Sequence, residues 1–68
     1  MMKVKLTKQT TCEITQGFND DEVTFKKNQV FVIDPDDDFD DDFYMAVDHK
    51  HEGELMNVVI PKANCIAA

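Results

Sequence analysis

The sequence predicts an all-β fold, a small antiparallel barrel of five to six strands or a tightly bent sandwich, with residues 1–68 forming one domain. Three observations predict it. Apolar residues recur with period two along most of the chain, which is the pattern of half-buried strands. No stretch of helical length carries apolar residues at helical spacing. The length of 68 residues leaves room for one modest core, since a chain of this size buries only about 60% of its unfolded surface.

The strands follow in order. Lys3-Val4-Lys5-Leu6-Thr7 alternates, and Thr10-Thr11-Cys12-Glu13-Ile14-Thr15 alternates again with β-branched support. Gln16 to Asp21 breaks the pattern and is expected to be a turn; Glu22-Val23-Thr24-Phe25-Lys26 resumes it. Lys27-Asn28-Gln29 reads as a tight connection into Val30-Phe31-Val32-Ile33, whose continuous apolar run predicts a central strand. Asp34-Pro35 ends that strand, because proline lacks a ladder donor. Phe43 to Val47 forms the next strand, Asp48 to Glu54 a polar hairpin connection, and Leu55 to Ile60 pairs back. Pro61 to Asn64 suits one turn of 3₁₀ helix before a last strand at Cys65-Ile66-Ala67.

Charge is concentrated rather than spread. Fourteen acids stand against seven lysines, with no arginine, for a net charge of −7. Seven of the acids, Asp34, Asp36, Asp37, Asp38, Asp40, Asp41 and Asp42, fall within nine consecutive positions. Outside this acidic loop at 34–42 the chain is formally neutral. Such a molecule repels nucleic acid and anionic membranes and is drawn to basic surfaces. Direct nucleic-acid and membrane partners are therefore not expected. Residues 1–5 offer no apolar stretch for a secretory signal, so a cytoplasmic location is expected. In that setting Cys12 and Cys65 read as buried free thiols rather than a bridge.

The second part of the chain resembles Src-homology-3 domains over residues 20–67. Glu22 to Ile33, an acid, an aliphatic, a bulky apolar residue and two lysines ahead of an aliphatic strand, is similar to the passage from the RT loop into the family's second strand. The acidic loop then occupies the place of the n-Src loop. Phe43-Tyr44 stands where the family carries two tryptophans, and Ile60-Pro61-Lys62-Ala63-Asn64-Cys65 resembles the turn before its last strand. The resemblance implies a barrel core containing Val23, Phe25, Phe31, Ile33, Ala46, Ile60 and Cys65. It does not imply the family's proline-peptide groove. Lys8–Gln16 has no counterpart of the Ala-Leu-Tyr-Asp-Tyr segment, no tryptophan is present, and Asn64 replaces a groove tyrosine.

The chemistry open to the chain is narrow. The acidic run reads either as a solvated loop or as a docking surface for a basic partner. Aspartates at alternate positions of an extended chain lie about 6.6–6.8 Å apart, a spacing close to that of successive phosphates. Their mutual repulsion is a cost that opposing a basic groove would relieve. Phe39, between two acidic triplets, is either the loop's anchor or an exposed contact. Asp36-x-Asp38-x-Asp40 opens like an EF-hand loop, but Asp41 replaces the glycine and Val47 the bidentate carboxylate, which leaves at most a weak cation site. His49 and His51 flank Lys50 in a polar stretch and have no distant third ligand, so a zinc site is not expected. No nucleophile elbow or phosphate loop appears, and neither catalysis nor a cofactor is expected.

These readings converge on a non-catalytic protein that docks on a basic protein surface, such as an inhibitor imitating nucleic-acid charge. Asp34, Asp36, Asp37, Asp38, Asp40, Asp41 and Asp42 would carry the charge, with Phe39 and Phe43 supplying apolar contacts. Two alternatives stay open: a peptide-binding adaptor using Phe43, Tyr44 and Pro61, and an assembly component without separable activity.

Overall fold

The computed structural model describes residues 1–34 and 40–68. It is all-β. Among the described residues seven strands form, more than the five or six expected: β1 (Met2–Leu6), β2 (Thr10–Gln16), β3 (Asn19–Phe25), β4 (Val30–Ile33), β5 (Phe43–His51), β6 (Glu54–Pro61) and β7 (Cys65–Ala67). A 3₁₀ turn, Lys62–Asn64, separates the last two, as the sequence predicts. The strands pair as two antiparallel sheets, β4-β1-β7 and β3-β2-β6-β5. No ladder closes one sheet onto the other among the described residues.

Alternation along each strand sends one set of side chains between the sheets. Val4, Leu6, Phe31 and Ile33 come from the smaller sheet, and Cys12, Ile14, Phe25, Ala46, Met56, Val58 and Ile60 from the larger. At roughly 1.5–3 kcal/mol for each large apolar side chain buried, this cluster is the main stabilising term of so small a domain. Both cysteines are free thiols, Cys12 inside the core and Cys65 half-buried against it.

Two hairpins set the larger sheet. Gln16 pairs with Asn19, leaving Gly17 and Phe18 as a two-residue turn. Gly17 takes φ +60° and Phe18 stays in the ordinary region, the type II′ pattern. The expected turn at Gln16–Asp21 is therefore shorter, and Asn19 to Asp21 belong to β3. Their polar side chains hide the strand from a search for apolar alternation, because β3 is an exposed edge. In the second hairpin His51 pairs with Glu54 across Glu52-Gly53, and both turn residues have positive φ, the type I′ pattern.

Two further expectations are corrected. Val30–Ile33 lies at the edge of its sheet, with β1 central, and its continuous run alternates after all: Phe31 and Ile33 are buried while Val30 and Val32 are exposed. The hairpin expected at Asp48–Glu54 forms, but only Glu52-Gly53 is its turn. β5 runs on to His51 through a bulge, in which Ala46 pairs with Val58 but His49 with Met56. Three steps along β5 thus match two along β6. The extra residue is taken up where Asp48 adopts φ +54° and its N–H donates to Asn57 Oδ1 at 3.1 Å. Without the bulge Asp48 and Lys50 would follow Ala46 inward. With it, His49 and His51 do.

Long-range hydrogen bonds outside the ladders hold the end of β1. The Leu6 N–H donates to the Gln29 carbonyl at 3.0 Å, and the Asn28 N–H donates back to the Leu6 carbonyl at 2.9 Å. Asn28 has φ +76°, in keeping with asparagine's tolerance of the left-handed region. The Thr7 N–H and hydroxyl both donate to the Asn64 carbonyl, fixing the 3₁₀ turn against the end of β1.

Candidate functional site

The outward face of the larger sheet carries the most distinctive surface. Register places Met45 opposite Val59, Val59 opposite Glu13, and Glu13 opposite Glu22, so one row crosses all four strands from apolar to acidic. On either side of the Glu13–Glu22 pair the cross-strand contacts are complementary. Thr11 and Thr24 share a hydroxyl–hydroxyl bond of 2.8 Å, and the Thr15 hydroxyl donates to Asp20 at 3.4 Å. The pair itself is not, since like charges directly opposite destabilise a ladder.

This face holds an open groove of about 680 Å³. Phe43, Met45 and Val59 form its apolar part. Glu13, Asp20, Glu22 and Asp40 supply carboxylates around it, and Asp21 borders it with its Oδ1 accepting from the Glu22 N–H at 2.8 Å. Its volume falls in the range of about 300–1,000 Å³ typical of ligand sites, but its acids suit a cationic guest.

Asp40 does two jobs. Its Oδ1 accepts from the Asp42 N–H at 2.7 Å and the Phe43 N–H at 2.8 Å, while its own N–H donates to the Phe43 carbonyl at 3.2 Å. The carboxylate thus folds the chain into β5 with charge-assisted bonds. The Lys62 N–H donates to the Asp42 carbonyl at 2.8 Å and ties this corner to the 3₁₀ turn. Phe43 is thereby presented outward, 37% exposed and paired with Pro61.

The sequence-predicted residues are distributed unevenly over this geometry. Asp40 and Phe43 line the groove, and Asp41 and Asp42 are exposed beside it in the same corner. Asp34 does not join them: it lines a separate shallow recess with Met1, Val32, Val47 and Asp48. Asp36, Asp37, Asp38 and Phe39 lie outside the described residues, as does most of the EF-hand-like stretch. Tyr44 turns inward, packs against the core and has Lys62 Nζ 4.7 Å above its ring, so it shares no slot with Phe43. Sequence reasoning missed Glu13, Asp20, Asp21, Glu22, Met45 and Val59. The signal that finds the acids is Gly17-Phe18: read as a two-residue hairpin turn, it sets Glu13 opposite Glu22 by counting alone.

No group of three or more metal-ligating side chains occurs among the described residues. Burial first, and the neighbouring Cys65 second, push the Cys12 thiol up to about 11. Burial also raises Cys65, against a smaller opposing pull from Lys62, and its Sγ–H lies near the Pro61 and Lys62 carbonyls. Both thiols are therefore protonated at neutral pH and poor nucleophiles. No helix among the described residues is long and apolar enough to cross a membrane. No protein-family model, curated protein or solved structure matches the chain.

Proposed function

We propose that the protein is a non-catalytic binding module whose outer groove docks a basic protein segment. The observation that carries this reading is the Glu13–Glu22 pair. The fold sets two carboxylates against each other, adds Asp20 and Asp40 around them, and leaves Phe43, Met45 and Val59 beside them. A lysine- or arginine-bearing segment with an apolar residue would satisfy both halves of the groove. Asp41 and Asp42, exposed in the same corner, extend the same negative field, so they act with the groove on one partner. Imitation of nucleic-acid charge would be the consequence if that partner's basic surface normally holds phosphates.

The adaptor alternative loses half its aromatic pair, because Tyr44 faces the core. Kinship with the Src-homology-3 barrel is supported more modestly. Phe25, Phe31, Ile33, Ala46 and Ile60 are buried where that resemblance puts them, Val23 and Cys65 pack against them, and the 3₁₀ turn precedes the last strand.

The test is calorimetric titration of the protein with a synthetic peptide alternating lysine and leucine, at rising salt. Binding is expected and weakens with ionic strength, since exposed charges are screened. Glu13→Gln with Glu22→Gln weakens it by about five- to thirtyfold, two exposed ion pairs at up to roughly 1 kcal/mol each. Equal affinity for wild type and the double variant would remove the groove from the account.

A further inference from the structure

Four rings form the seam between the sheets. Phe25, at the end of β3, meets Phe31 of β4 edge to face with centroids 5.1 Å apart. β5 contributes His49, 4.8 Å from Phe31 and 5.8 Å from Phe25, and His51, 5.0 Å from Phe25. The two imidazoles stack at 6.4 Å. Phe31 belongs to the smaller sheet and the other three rings to the larger, so the cluster bridges sheets that share no ladder among the described residues. Within it His49 Nε2 is buried and makes no hydrogen bond.

An orphaned buried polar atom asks for an explanation. A neutral imidazole suits the niche as a flat ring among rings. An imidazolium does not, because both nitrogens then carry protons and the buried Nε2–H has no acceptor, while the charge sits on a ring partly withdrawn from water. Attraction between the cation and a phenylalanine face offsets only part of that cost.

We propose that this seam is an acid-sensitive latch: protonating His49 releases β5 from Phe31 and parts the two sheets. The proposal stands independently of what the groove binds. The surroundings favour it. β3 and β4 present phenylalanine rings, and β6 presents Met56 opposite His49. The nearest carboxylate across the ladder is Glu54, which faces His51 and accepts from Gln16 Nε2 at 3.1 Å. On β5 itself His51 lies on the same side and adds positive charge when protonated, while Asp48 and Lys50 are exposed.

Burial first, and His51 second, hold the His49 pKa below its ordinary value of 6.5. The unfolded chain therefore binds this proton more readily than the folded one. Stability is complete above the unfolded value and declines as pH falls from there through the lowered folded value.

The experiment is thermal unfolding, with NMR of the histidine rings and backbone amides, from about pH 7.5 to about pH 5, where histidines titrate and most carboxylates do not. For wild type, the melting midpoint falls across this window, and amides of Phe31 and its β4 neighbours lose exchange protection before those of β2. His49→Phe keeps a ring in the niche and flattens the midpoint's pH dependence. If that variant does not fold, the wild-type His49 ring decides the matter alone. A His49 midpoint at or above 6.5, or equal pH dependence in wild type and His49→Phe, overturns the latch.

Discussion

The two hairpins of the larger sheet are built alike and do opposite things. Each is a pair of long antiparallel strands closed by a two-residue turn. The β2–β3 hairpin turns its charge outward and sets carboxylates across from each other. The β5–β6 hairpin carries as many polar residues near its tip, yet sends two of them inward to pack on phenylalanines. One inserted residue makes the difference. The bulge at Val47-Asp48 reverses the facing of everything beyond it, so histidines line the seam where Asp48 and Lys50 would otherwise point. What decides the role of a polar residue in this fold is strand phase, more than its own hydropathy.

Phe25 links the hairpins, and removing it breaks the comparison most sharply. It is 2% exposed at the end of β3 and touches both histidines and Phe31. Phe25→Ala is expected to cost about 3–5 kcal/mol. A domain of this length has a total stability of roughly 3–10 kcal/mol, so urea denaturation should find the variant partly or wholly unfolded. A smaller change sharpens the other side of the comparison. Glu22→Thr removes the like-charge pair and adds a β-branched residue on an exposed strand. It should stabilise the domain by about 0.2–1 kcal/mol in the same denaturation experiment, while weakening peptide binding. A residue whose replacement improves the fold and impairs binding is one retained for its contact.

Much of this was legible in the sequence, and the exceptions have physical causes. Period-two alternation locates β1, β2 and β6 almost to the residue, because each buries one face and wets the other. It fails at Asn19–Asp21, where an edge strand extends past the core and has no apolar face to reveal itself. It fails again at Asp48–His51, where a left-handed residue interrupts the phase and no apolar side chain marks the new one. Val30–Ile33 misleads in the opposite way. Its apolar run suggests cover on both faces, but Val30 and Val32 remain exposed at the edge of the smaller sheet. The acidic run drew attention to Asp40 and Phe43 as loop contacts, and both line the groove, which the run alone does not reveal. The second set of acids, from Glu13 to Glu22, appears only once Gly17-Phe18 is recognised as a tight turn.

The claim that the outer groove is a docking site for a basic segment is tested most directly by mapping. Isotope-labelled protein would be titrated with the alternating lysine–leucine peptide and its amide shifts followed residue by residue. The account predicts that Glu13, Thr15, Asp20, Glu22, Phe43, Met45 and Val59 move together along one saturable curve, and that Glu13→Gln with Glu22→Gln shifts this curve to higher peptide concentration. Shifts confined to the acidic run, with the sheet face silent, would contradict it.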